Sequence, residues 1–262
     1  MPAFEVKGKV FFITGAAEGL GRGLAEGALS KQGKVFFIDV NEGLGKSTLA
    51  ELAEVHGPEN VGFAVCDVTN RQRFEETFQE AVDRFGHVDV MVNNAGILGE
   101  NRPQVLISIN LLGPINGTEI AQGHMRKDKG GKGGRIINMS SVAGFYNVFN
   151  LPAYCATKQG IRSYTKSLSL VQDKVISDFQ ALCQSKAPVT GLESATGKPL
   201  ADLMAHSLST VPPTLEQVVD GFFKLLTLER MNGAHLMVTK EITTFGEVDF
   251  HPTGDSYPPL AK

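Results

Sequence analysis

The sequence predicts an α/β fold: a doubly wound, mostly parallel sheet with helices on both faces. Three observations lead there. Short apolar runs alternate with amphipathic helical patterns through the first half of the chain. A glycine-rich turn stands between the first apolar run and the first helix. No linker and no internal repeat divides the 262 residues, so one domain, 1–262, is expected.

The first strand is expected at 9–15 (KVFFITG), apolar throughout and therefore covered on both faces. A helix at 23–33 closes at Gly33, and a second strand follows at 34–40 (KVFFIDV). Residues 41–56 read as a helix and 61–68 (VGFAVCDV) as the third strand. Asn70 is placed to cap the helix RQRFEETFQEAVDRFG, which ends at Gly86. The fourth strand is expected at 88–96, a helix at about 109–125 and the fifth strand at 134–141. Right-handed crossovers then place ligands at the carboxyl ends of the strands.

Composition excludes several classes. A formal charge of −3 and the absence of a basic stripe leave no footprint for nucleic acid. The one basic cluster, RKDKGGKGG at 126–134, reads as a solvated glycine loop. No apolar run approaches a membrane span, and MPAFEVKGKV has no signal-peptide pattern. Cys66, Cys155 and Cys183 form no CxxC pair and read as thiols in a reducing, cytoplasmic compartment. The scattered histidines imply no metal site.

The turn TGAAEGLG carries Gly15, Gly19 and Gly21 in the spacing G-x-x-x-G-x-G. A strand before it and a helix after it make a phosphate cradle: glycines admit close backbone approach, and the helix end presents free N–H groups. The arrangement is that of a Rossmann dinucleotide site, with Gly15, Gly19, Leu20 and Gly21 as expected contacts. Asp39 ends the second strand roughly 20 residues on, where a carboxylate bonds the ribose hydroxyls. Asp39 and Glu18 would repel a 2′-phosphate, so NAD is expected over NADP. Asp67 and Val68 would flank the adenine, and Asn94, Ala95 and Gly96 would line the cofactor channel.

Further along stand Asn110 in SINL, Ser141 in NMSSVAG, and YCATK at 154–158. Taken in order with TGAAEGLG and NNAG, these motifs over 9–165 resemble the classical short-chain dehydrogenases/reductases. Tyr154 and Lys158 are one helical turn apart and share a face. A free phenol, with a pKa of roughly 10, is a poor base at neutral pH, and a neighbouring ammonium favours its ionised form. Tyr154 is thus the expected general acid/base and Lys158 its electrostatic partner. The resemblance implies that Ser141 holds the substrate oxygen, Lys158 the ribose, and Asn110 a water on the proton's way out. Ser140, one residue earlier, is expected to be structural.

Past Thr165 the chain departs from the family. The sixth strand ending in a Pro–Gly turn that the resemblance implies finds no counterpart, and the sequence has no Pro–Gly dipeptide. Residues 153–187 lack proline and contain one glycine, Gly160. Ile161, Tyr164, Leu168, Val171, Val175, Phe179 and Leu182 recur at threes and fours. We therefore expect the Tyr–Lys helix to run on or to break near Asp173, the sixth strand to be missing, and 166–211 to be divergent. A helix at 214–227 and a last strand at 232–239 follow, the strand pairing with the fifth or standing as an edge.

Three functions remain open on the sequence. The first is NAD-dependent oxidation of a secondary alcohol, such as a hydroxylated lipid. The others are carbonyl reduction of another substrate class, and a catalytically weak NAD-binding scaffold, which the lost strand would favour. The resemblance also implies a homodimer.

Overall fold

Strand β1 (Val10–Thr14) is buried along its whole length, and its two faces feed two separate cores. Phe11 and Ile13 pack on one side with Leu24, Ala28, Phe37 and Phe222. Val10 and Phe12 pack on the other with Phe36, Phe74, Phe78 and Met91. This two-sided burial is why the strand reads as an unbroken apolar run. Phe12 sits among three rings, with centroids 5.7 Å from Phe36, 6.1 Å from Phe74 and 5.2 Å from Phe78.

The computed structural model describes residues 4–145, 147–148, 150–169, 178–184, 213–227, 234–238 and 243–246. After β1 come α1 (Gly19–Ser30), β2 (Lys34–Asp39), α2 (Glu42–His56), β3 (Val61–Val65), α3 (Arg71–Phe85) and β4 (Val90–Asn93). Then come α4 (Pro103–Ile107), a π turn (Ser108–Leu112), α5 (Gly113–Met125), β5 (Arg135–Met139) and α6 (Pro152–Ser169). The remainder is β6 (Asp178–Gln184), α7 (Leu215–Thr227), β7 (Ala234–Val238) and β8 (Thr243–Gly246).

The sheet order is β3-β2-β1-β4-β5-β6-β7-β8. All pairs are parallel except β7 with β8. The order reverses between β1 and β4, which opens a crevice at their carboxyl ends. The expected caps are present. Asn70 Oδ1 accepts from the Arg73 N–H at 3.1 Å, and Gly86 closes α3 in the left-handed region at φ 81°. Thr214 and Gln217 exchange hydrogen bonds at the start of α7 as a capping box.

One expectation is overturned. The sixth strand is present: by Asp178 the chain is extended, and β6 lies parallel to β5 with Arg135 opposite Asp178 and Met139 opposite Leu182. β7 accordingly pairs with β6, Gln180 facing Ala234, and not with β5. The Tyr–Lys helix does not run through 187. Phe179 and Leu182 are three apart and fit a helix, yet Phe179, Ala181 and Cys183 also alternate with Gln180, Leu182 and Gln184 at strand period. Pairing decides between the two. Without β6, facing edges of β5 and β7 would leave their N–H and C=O groups unmatched inside the sheet. Val171, Val175, the expected break near Asp173 and most of the divergent stretch lie outside the described residues.

Among the described residues, no helix is long and apolar enough to cross a membrane, and no cluster could hold a metal ion.

Candidate functional site

The glycine turn rises from the end of β1. Gly15 and Gly19 have φ of +65° and +58°, a region where side chains are strained. A Cβ on Gly15 would come 2.8 Å from Ala95 Cα, and one on Gly21 would strike the Gly15 carbonyl oxygen. The first turn of α1 has no side-chain cap, since Glu18 makes no capping bond there. Its leading N–H groups are available to an anion. Leu20 is half-buried against the core.

Asp39, at the end of β2, accepts from Ala17 N–H at 3.1 Å and from Asn41 N–H at 3.0 Å. The carboxylate is therefore held against the glycine turn. Val68 is buried against Gly113, whereas Asp67 is exposed on the rim and accepts from both the N–H and the hydroxyl of Thr69.

The loop after β4 ties this turn to the rest of the site. Asn94 Nδ2 donates to the carbonyls of Thr14 (3.0 Å) and Gly15 (2.9 Å). Thr14 Oγ1 accepts from the N–H groups of Asn94 (3.0 Å) and Ala95 (2.9 Å). A Cβ on Gly96 would sit 3.4 Å from Asn110 Oδ1 and 3.6 Å from Lys158 Nζ, so this glycine marks where the three elements meet. Asn110 is fully buried inside the π turn. Its side chain accepts from Ile97 N–H and donates to Ile97 C=O, both at 2.8 Å. Such a π turn inside a helix commonly accompanies a functional site.

Ser141, Tyr154 and Lys158 gather at the carboxyl end of β5. Ser141 neighbours the Tyr154 phenol as a hydrogen-bonding group, and its Oγ accepts from Ala143 N–H at 3.3 Å. Lys158 is buried; its Nζ donates to Met139 C=O at 3.0 Å and lies 5.6 Å from the centroid of the Tyr154 ring. Burial pushes the Tyr154 phenol above its ordinary value, and the Ser141 hydrogen bond partly opposes this. Ser140 Oγ donates to Lys158 C=O at 2.9 Å, inside the core.

Several contributing residues were not read from the sequence. Asn93 and Asn138 face each other across β4 and β5, and Asn93 Nδ2 donates to Asn138 Oδ1 at 2.8 Å. Asn138 in turn donates to Thr165 Oγ1 on α6 at 2.9 Å. This buried polar chain fixes α6 to the sheet beneath the site. Its sequence signal is an asparagine at or next to the carboxyl end of each of two strands, last in VMVN and last but one in RIINM. Thr14 carries a similar signal, as the polar end of β1.

The model of the family described as short chain dehydrogenase matches residues 9–175. The chain belongs to the short-chain dehydrogenases. This makes it an oxidoreductase by family. Among curated members, it is 36% identical over 248 residues to human 15-hydroxyprostaglandin dehydrogenase [NAD(+)], covering 90% of this chain and 92% of the relative. It is 31% identical over 265 residues to the rat protein of that name, covering 97% and 100%. A diacetyl reductase [(S)-acetoin forming] from Staphylococcus epidermidis is 38% identical over 167 residues, covering 61% and 63%. Likeness to the prostaglandin dehydrogenases thus covers nine-tenths or more of the chain, and likeness to the diacetyl reductase about three-fifths of it.

Proposed function

We propose that the protein is an NAD-dependent dehydrogenase of a secondary alcohol, acting on a hydroxylated fatty acid or prostaglandin. The observation that carries this reading is the grouping of Ser141, Tyr154 and Lys158 beside Gly96 and Asn110. The substrate class is supported by likeness to 15-hydroxyprostaglandin dehydrogenases over nine-tenths of the chain. The residues present fit NAD: the glycine turn has no room for a Cβ at Gly15 or Gly21, the start of α1 is uncapped, and Asp39 offers a carboxylate at the turn. Gly15, Gly19, Leu20, Gly21, Asp39, Asp67, Val68, Asn94, Ala95 and Gly96 would hold it, with Tyr154 and Lys158 at its reactive end.

When bound beside Tyr154 and Lys158, oxidised nicotinamide would supply a hydride acceptor and a positive charge. The chain's own residues do the rest. Ser141 donates a hydrogen bond to the substrate oxygen and orients it. Tyr154 takes the hydroxyl proton at its phenol oxygen. Burial alone opposes phenolate, so Lys158, fixed by Met139, must offset that cost electrostatically. Asn110 ties the loop at Ile97 to the π turn and would support a water through which the proton leaves. β6, seated between β5 and β7, supplies the sheet that the scaffold reading lacked.

The same groups run carbonyl reduction in reverse, the direction named for the diacetyl reductase relative. A homodimer is supported by Val105, Ile107 and Leu112, apolar side chains exposed along α4 and the π turn. Sedimentation showing only monomer at micromolar concentration would remove it.

The test is calorimetric titration with NAD, then the absorbance of reduced nicotinamide during incubation with prostaglandin and steroid alcohols. NAD binding with turnover on a prostaglandin alcohol is expected. Binding without turnover on any alcohol would restore the scaffold.

A further inference from the structure

Helix α6 carries Tyr154 and Lys158, yet its own sequence supplies no cap. The residue before it is Leu151, and Pro152 at its first position has no N–H. Cys155 N–H already bonds back to Leu151 C=O at 2.9 Å. The donors left over from the first turn are therefore those of Ala153 and Tyr154. Both point at one carboxylate. Glu100 Oε2 accepts from Ala153 N–H at 3.0 Å, and Glu100 Oε1 accepts from Tyr154 N–H at 2.8 Å. Glu100 lies more than fifty residues earlier, on the loop between β4 and α4.

That loop is anchored at two further points. Asn94 binds it to the glycine turn, and Ile97 binds it to Asn110. Glu100 is the third attachment and the one that reaches α6. A carboxylate at a helix amino terminus also meets the positive end of the helix dipole. Each oxygen is committed to one amide, so the pair restrains both rotation and sliding of the first turn. Tyr154 is in that turn, so the placement of the turn sets where its hydroxyl stands relative to its neighbour Ser141.

We propose that Glu100 is a positioning residue for Tyr154: it imports the missing cap of α6 and holds the phenol in register with Ser141. The claim rests on the reading of Tyr154 as the acid/base group, and its test separates the two. In full-length protein, Glu100→Ala and Glu100→Gln are compared with wild type by amide hydrogen exchange and by kinetics. Exchange at Ala153 and Tyr154 should quicken about fivefold or more in Glu100→Ala. Glu100→Gln, which keeps one acceptor oxygen, should fall between. Unchanged protection at both amides overturns the proposal, whatever the enzyme does.

With turnover established for wild type, kcat should fall about 10- to 100-fold in Glu100→Ala, since small displacements of a reacting group are costly. Alcohol KM and NAD affinity should change little, and Glu100→Gln should recover part of kcat. Full kcat in Glu100→Ala, or a change in KM alone, also overturns it. If wild type oxidises no alcohol, the functional reading has failed and the exchange data alone decide the capping role. Should Glu100→Ala not fold, Glu100→Gln decides on the same two readouts.

Discussion

The proposed cofactor cradle and the proposed acid–base cluster share one edge of the sheet but are made of different material. The cradle is backbone: two glycines at positive φ, an uncapped helix start and carbonyls held by Asn94. The cluster is side chains on α6 and after β5, held by hydrogen bonds from elsewhere: Lys158 by Met139, and Tyr154, at its amide, by Glu100. A backbone site is damaged by adding atoms, and a side-chain site by removing them. Substitutions of opposite sense should therefore separate binding from chemistry.

The largest effect should come from Tyr154→Phe. It removes the proton acceptor and leaves the cradle whole, so kcat should drop about 10²- to 10⁴-fold while NAD affinity stays within a few-fold. Comparable turnover in this variant would refute the assignment. Gly15→Ala should act the other way. The added Cβ meets Ala95 at 2.8 Å in a backbone conformation hostile to side chains. A strain of about 2–3 kcal/mol implies NAD binding weaker by about 100-fold, measured by calorimetry. Tight NAD binding by Gly15→Ala would mean that the cradle is elsewhere.

Asn94→Ala tests the join between the regions. It strips the donor from the Thr14 and Gly15 carbonyls, a loss of about 1–3 kcal/mol. Both NAD affinity and kcat should decline, about tenfold or less each. A change in one alone would show that the regions are uncoupled.

A finer measurement concerns the phenol. In NAD-free protein, Tyr154 should ionise above the ordinary tyrosine value of about 10. Ser141→Ala removes the hydrogen bond that favours phenolate, so its ultraviolet titration should move higher still. Movement to lower pH would contradict the geometry.

The smallest effect lies at the opposite edge of the sheet, where His87 Nδ1 and His124 Nε2 are 2.9 Å apart. Burial holds both below the ordinary histidine value, with His87 adding repulsion at His124. Folding thus favours their neutral forms. The fold should keep full stability above about pH 6.5 and lose some as pH falls from there. His124→Gln should flatten that acid limb in melting curves without touching turnover at neutral pH. A melting temperature independent of pH in wild type between 7 and 5 would dismiss the pair as a titrating unit.

Much of the fold was legible because its signals are local. The apolar run of β1 states burial on two faces, Asn70 and Gly86 bracket α3, and the four-residue step from Tyr154 to Lys158 is one turn of a helix. The glycine turn was equally plain, since positive φ selects glycine within a few residues. β6 was not. Its Phe179 and Leu182 satisfy a helical period as well as a strand, and the sequence alone contains nothing that ranks the two. Glu100 was invisible for a related reason. Its meaning depends on Leu151 and Pro152, which deprive a distant helix of its own cap.

By itself, the sequence determined the alternation of strands and helices, the glycine turn at the switch between β1 and β4, and the tyrosine–lysine pair on one helical face. Period and spacing express these within a single element. Only the tertiary structure decided that 178–184 is a strand, that Asn138 reaches Thr165, and that Glu100 caps α6. Those outcomes follow from satisfying buried backbone and side-chain polar groups, and the partner of such a group is set by proximity in space rather than along the chain.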